Sequence, residues 1–151
     1  TTLFRSDMLQ AMNTGHDGSM TTTHANSPKE CIGRLETLCM MSGMELPVEA
    51  IRKQIASAVN LIVQQSRMSD GTRKVISITE VAGMQGDVVT LAEIFKFKET
   101  SVDKNRKVVG LFQATGFIPT FLTKLESKGI HTDKNLFKSD PTLPSVKKTG
   151  S

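Results

Sequence analysis

The chain has no Trp and no Tyr, and its aromatic content is seven Phe. That removes the usual base-stacking platforms apart from Phe. No run approaches the roughly 18 consecutive apolar residues of a membrane helix, and no basic-then-apolar leader opens the sequence. Charge of one sign is only mildly in excess: 19 Lys and Arg against 15 Asp and Glu give +4. The surplus is dispersed, so a dedicated nucleic-acid binder is not indicated. Cysteine is scarce too. Cys31 and Cys39 fall on one expected helix, where a rise of about 1.5 Å per residue holds them some 12 Å apart. A disulfide needs Cα atoms within about 7 Å. They cannot bridge each other there, and a reduced, cytosolic chain is the simple reading. What remains is a 151-residue chain with 38% hydrophobic residues, enough for one domain with a real core.

The expected elements alternate in type. Residues 7–14 read as the end of a helix stopped by Gly15, and Ser19–Thr23 as a short extended piece. Ser27-Pro28-Lys29-Glu30 is a capping box with Pro in the first turn. The helix it starts places Ile32, Leu35, Leu38 and Cys39 on one face and ends near Gly43. A second helix begins at Pro47, with Val48, Ile51, Ile55 and Val59 inward and Arg52 and Lys53 toward solvent. From Leu61 the period becomes extended. Asp70-Gly71 joins a strand led by Leu61-Ile62-Val63 to its partner, Lys74–Val81. A third strand is expected over Val88–Phe97 and a fourth near Val108–Ala114, with the Asp103–Arg106 turn between them. Pro119 opens a short helix with Phe121, Leu122 and Leu125. Residues 130–151 read as a flexible tail.

The most polar stretch runs from Gly15 to Ser27. It carries His16, Asp17, His24 and five Ser/Thr hydroxyls, directly upstream of a helix N-terminus whose amides could face an anion. The physical reading is an edge facing phosphate or metal. His16, Asp17, His24 and Cys31 match no familiar zinc spacing, so no metal site is assigned. No Gly-x-Ser-x-Gly elbow supports a Ser-His-Asp triad. Histidines that merely cap secondary structure are the plain alternative. A small metal-dependent hydrolase built on His16, Asp17 and His24 is a remote one.

Gly15-His16-Asp17-Gly18-Ser19 followed by Thr22-Thr23-His24-Ala25-Asn26-Ser27 resembles the histidine box of secretion ATPases. The wording is that of the CpaF/TadA branch, the motors of tight-adherence (Flp-type) pilus assembly. Arg34–Leu38, Ile55–Arg67, Asp70–Val75, Ile78–Val81 and Gly83–Asp87 continue the resemblance. It extends from about Asp7 to Gly129.

The resemblance implies an α/β fold, the C-terminal portion of a RecA-like P-loop ATPase domain elaborated by antiparallel β-hairpins and short helices. That motor portion spans residues 1–129. It implies ATP and Mg²⁺ in full-length members and a homo-oligomeric, hexameric ring. It further implies platform proteins at the inner membrane as partners, no nucleic acid, and a cytoplasmic location peripheral to that membrane. His24 becomes the candidate for the γ-phosphate contact, with His16 and Thr23 positioning it. A neutral imidazole donates one hydrogen bond to phosphate, a protonated one two.

Arg67 and Arg73 flank the Asp70-Gly71 turn. They are candidates for a nucleotide or a neighbouring subunit, or simply for a solvated strand edge. Lys96, Lys98, Lys104, Arg106 and Lys107 form a basic patch open to anionic lipid, an acidic segment or plain solvent.

One departure limits the expected activity. No Gly-x-x-x-x-Gly-Lys-[Ser/Thr] occurs, and no Gly is followed by Lys anywhere. The amide cradle for phosphates and its lysine are therefore missing from this stretch. Thr1–Ser6 also do not match the family's acidic strand. The chain is expected to be a fragment that does not hydrolyse ATP by itself. The alternative is a non-catalytic scaffold that keeps the ring interface without binding nucleotide.

Overall fold

The computed structural model describes residues 14, 18–43 and 45–141. The helix end expected over residues 7–14 falls, apart from Thr14, outside the described residues. Two helices come first, α1 (Pro28–Met41) and α2 (Val48–Ala58). Four strands follow, β1 (Leu61–Arg67), β2 (Arg73–Gln85), β3 (Val88–Val102) and β4 (Val108–Ala114). A short helix α3 (Leu122–Ser127) and a 3-10 turn (Lys134–Phe137) close the order. The strands form one antiparallel sheet in the order β1-β2-β3-β4. The fold is therefore mixed α/β with antiparallel hairpins and short helices.

The chain divides into two compact units, and β2 and β3 contribute residues to both. The first holds α1, α2, Leu61-Ile62 and the Val81–Leu91 hairpin end. Its core is Ile32, Leu35 and Cys39 of α1, Ile51, Ile55 and Ala58 of α2, and Ile62, Val81 and Val89 from the strands. Ile55 is wholly excluded from water, a burial worth about 1.5–3 kcal/mol. The cap forms with its return bond one residue early: Ser27 Oγ accepts from the Glu30 amide at 3.2 Å, and Glu30 Oε2 accepts from the Asn26 amide, just before the cap, at 3.0 Å. Cys31 and Cys39 are both buried and joined in no disulfide, and burial pushes the Cys39 thiol pKa up. Val48, expected on the inward face, is 40% exposed because it opens α2, ahead of the turns that face the core.

The second unit holds most of the sheet, α3 and the 3-10 turn. Ile94, Leu122 and Phe137 form its buried centre, with Ile78, Phe95, Phe117, Phe121 and Leu125 packed against it. Phe95 stacks on Phe112 with centroids 5.7 Å apart, and lies 5.8 Å from Phe137. Phe137 belongs to the stretch read from sequence as a tail, and it is buried.

The strands outrun their sequence signals. β2 continues from Val81 to Gln85 and β3 from Phe97 to Val102, because ladder hydrogen bonds also hold residues outside an apolar alternation, such as Gly83 and Lys98–Ser101. The two arms meet at a Gly86-Asp87 turn, the Gly-X arrangement of tight hairpins.

The other two hairpin turns share one geometry. In the first, Met68 N donates to Thr72 O and Gly71 N to Met68 O. In the second, Asp103 N donates to Lys107 O and Arg106 N to Asp103 O. Each is a three-residue loop whose last residue takes a left-handed conformation. Gly71 does so at φ 82 and Arg106 at φ 59, Arg106 being the non-glycine residue at positive φ among the described residues.

Candidate functional site

His24 and Thr23 lie in the segment that leads into α1. Residues 19–25 carry no regular secondary structure, so the extended piece expected at Ser19–Thr23 joins no sheet. His24 is exposed. Its neighbours are held inward: Ala25 is packed against the first core, and Thr23 Oγ1 is buried with no hydrogen-bond partner among the described residues. An imidazole held this way can donate to an anion from outside. His16 and Asp17 lie outside the described residues.

The amides of α1 are not the anion cradle that the sequence offered. Pro28 has no N–H, the Glu30 amide is capped by Ser27 Oγ, and the Cys31 amide donates to Ser27 O at 2.9 Å. The Glu30 carboxylate sits on the same turn and adds negative charge. A capping box that satisfies its own donors leaves little for a phosphate.

Arg67 and Arg73 face each other across the first hairpin turn, in the second unit, and both are exposed. The Arg67 guanidinium lies over Gly71, where a Cβ would come 3.7 Å from Nη2. Between the two arginines, Asp70 is fully engaged. Its Oδ1 accepts from the amide and hydroxyl of Thr72 at 2.8 and 2.6 Å, and its Oδ2 from the Val108 amide at 2.7 Å. These bonds hold its pKa down at about 2. Asp103 repeats the arrangement, accepting from the Asn105 and Lys107 amides at 2.8 Å each.

Two further residues hold the framework and were not singled out from sequence. Arg52, read as solvent-facing, forms a fork on Glu36 at 2.9 and 3.3 Å and donates to Asp87 O at 3.0 Å. It thereby ties α2 to α1 and to the β2–β3 turn. The Glu36 partnership raises its pKa. Helical periodicity places Arg52 off the apolar face but is blind to a carboxylate on another helix.

Glu80 is 2% exposed, yet its carboxylate accepts from Thr120 Oγ1 at 2.6 Å and from the Thr120 and Phe121 amides at 3.0 Å each. It takes the capping role at α3 that no local side chain fills. A carboxylate inside an Ile-Thr-Glu-Val run was the available signal, since a buried charge has to be paired.

Asp70, Glu80 and Asp103 accept from backbone amides, and no group of three His, Cys, Asp or Glu gathers among the described residues. No helix among them is long and apolar enough to cross a membrane.

Similarity to known proteins supplies the family. The model of the family described as "Type II/IV secretion system protein" matches residues 6–108, more than half of the chain. A provisionally named conjugal transfer protein of Mycobacterium tuberculosis, in strains H37Rv and CDC 1551, is 35% identical over 82 residues. That stretch is 54% of this chain and 23% of the relative. Conjugal transfer protein TrbB of Rhizobium radiobacter is 37% identical over 79 residues, 52% of this chain and 22% of TrbB. The chain thus spans less than a quarter of the length of these relatives. With a matched stretch that runs from before the His24 segment to the start of β4, the chain belongs to the type II/IV secretion system protein family.

Proposed function

We propose that this chain is the C-terminal part of the motor domain of a secretion ATPase of the CpaF/TadA pilus-assembly type. In that reading residues 1–129 belong to the motor portion. The whole protein binds ATP with Mg²⁺, works as a hexameric ring, and acts from the cytoplasmic side with platform proteins of the inner membrane. His24 contacts the γ-phosphate of ATP, while Thr23 and His16 orient it. The names of the curated relatives also admit conjugal transfer as the parent activity.

The observation that carries the reading is the exposed His24 between an inward Thr23 and a core-packed Ala25, just upstream of the Ser27 cap. An anchored imidazole donates to a phosphate oxygen without first having to be ordered, which is what a sensor of bound nucleotide needs. Phosphate binding elsewhere in the motor must come from a lysine loop that this sequence lacks. The second reading is a scaffold part that keeps the ring interface and never holds nucleotide. Arg67 and Arg73 serve either reading as contacts to a neighbouring subunit.

The test is ATP turnover with Mg²⁺, comparing this chain with a longer one extended upstream through a lysine loop, each with His24 intact and as His24→Ala. Turnover in the longer chain alone, strongly reduced by His24→Ala, supports the motor reading. A folded, assembled longer chain without turnover favours the scaffold. Turnover by the 151-residue chain itself overturns both.

A further inference from the structure

β4 is an outer strand of the sheet, and its sequence Val108-Val109-Gly110-Leu111-Phe112-Gln113-Ala114 contains no charge and no Pro. Val109, Leu111 and Phe112 are 43%, 42% and 45% exposed. Edge strands are ordinarily blunted by charge, Pro or a covering element, because unpaired backbone groups recruit another strand.

The polarity of this edge can be read from two bonds. Thr115 N donates to Ile94 O on β3, so Gln113, Leu111 and Val109 turn their backbone groups to β3. Gly110, Phe112 and Ala114 alternate with them and turn theirs away from it. Val108 N also points outward, and the Asp70 carboxylate takes it at 2.7 Å. Asp70 therefore closes the first position of the edge, and among the described residues nothing takes the next three.

That same end is cationic. Lys104, Arg106 and Lys107 precede β4 directly, and Arg67 and Arg73 flank the turn that brings Asp70 to it. None of the five makes an ion pair among the described residues. Of the acids near this end, Asp70 accepts with both carboxylate oxygens, Asp103 accepts two amides on Oδ1, and Glu99 lies opposite Gly110 on β3.

We propose that the β4 edge is a docking strand for an extended segment of a partner protein, added antiparallel as a fifth strand. The partner's acidic residues lie at its C-terminal end, against Lys104, Arg106 and Lys107. The backbone ladder supplies binding, and the charge at one end sets direction and register. Antiparallel addition brings the C-terminal end of the segment to the Val108 end of β4, so the position of its acids follows from the cations. A second copy of this chain fits less well, since the cations have no acidic counterpart on β4. The inference is independent of any role for His24.

The probe is the peptide Thr-Val-Thr-Val-Thr-Val-Glu-Glu-Glu, added to the 151-residue chain while amide hydrogen exchange is followed residue by residue. Saturation is expected to slow exchange at Gly110, Phe112 and Ala114 by about tenfold or more. Leu111 and Gln113, already bonded to β3, should change little. The peptide with Lys for Glu, or N-methylated at alternate residues on its pairing edge, should not protect these amides. Arg106→Glu with Lys107→Glu should weaken binding about tenfold, with unchanged exchange at Ile55 and Ile94 showing that the fold is kept.

Absent protection overturns the proposal, as does equal binding of the Lys-ended or N-methylated peptide. Protection that appears with protein concentration alone, together with dimers in sedimentation, assigns the edge to a second copy. Uptake by phosphatidylglycerol vesicles with the β4 amides unprotected assigns the cations to lipid. Either result overturns the partner segment.

Discussion

Around α1 and α2 the buried residues are aliphatic or thiol side chains, and the one interhelical fork, Arg52 on Glu36, sits at the margin. Around β4 and α3 the buried apolar residues described are Ile94, Leu122 and Phe137 with Val108, and three carboxylates accept from the backbone of distant or adjoining segments. The first unit is thus held mainly by area removed from water, which is non-directional and tolerates small shifts. The second depends on directed bonds to peptide amides, each of which fails when one partner is lost. A region of hairpins and loops cannot stack enough apolar surface, so charged side chains complete its turns and helix ends.

The largest expected effect tests the first unit. Ile55→Ala removes a fully buried side chain and should cost about 2–5 kcal/mol, read from denaturant unfolding. The contrast between the units sharpens if amides of α1 and α2 lose exchange protection before those of β3 and β4. Equal loss throughout means that they unfold as one and breaks it.

Glu80→Ala is the matching test of the second unit. It leaves the Thr120 and Phe121 amides without their acceptor and should cost about 2–3 kcal/mol. Exchange should rise first along α3. If Glu80→Ala is neutral, directed bonding is not what holds this unit.

Gly110→Ala probes tightness within the sheet. Its Cβ would meet Lys98 O and Phe97 Cζ, each at 2.4 Å, so β3 and β4 must part locally. A loss of about 1–3 kcal/mol is expected, visible as faster exchange across the Lys98–Leu111 pair.

The two three-residue turns allow a finer comparison. Arg106→Gly relieves a left-handed non-glycine residue and should stabilise by up to about 1 kcal/mol, read as a higher unfolding midpoint. No gain would mean that the Arg106 side chain repays its backbone strain.

Asp70 gives the pH dependence. Its pKa is lowered from 3.8 to about 2 in the folded chain, so protons bind the unfolded chain more readily. Its contribution is fully present above about pH 4 and is lost as pH falls through about 2. Asp70→Asn should flatten that part of the acid unfolding curve and speed exchange of the Val108 amide. An unchanged curve would leave the link between the two turns without weight.

Much of the fold was legible because local chemistry and tertiary contacts agree. Ser27-Pro28-Lys29-Glu30 specified the start of α1, the 3.6-residue spacing gave its core face, and β4 stands where Val108–Ala114 reads as a strand. The strand ends were not legible, because Gly83 and the polar Lys98–Ser101 stretch carry no apolar alternation to extend. Nor were the joins: Arg52 to Glu36 spans 16 residues, Asp70 to Val108 38, and Glu80 to Thr120 40. At the candidate site, sequence singled out His24 and Thr23. It could not tell that Thr23 Oγ1 is buried while His24 is exposed, or that the Glu30 and Cys31 amides of α1 are already taken.

The sequence by itself determined the helix caps, the turn sites and the alternation of helix with hairpin, since these follow from backbone preferences a few residues long. It also carried the family, through residues quoted in order along the chain. Only the tertiary structure decided which carboxylates meet which amides, and which strand is left with an open edge. Such pairings depend on where distant segments come to rest, and no local preference encodes them.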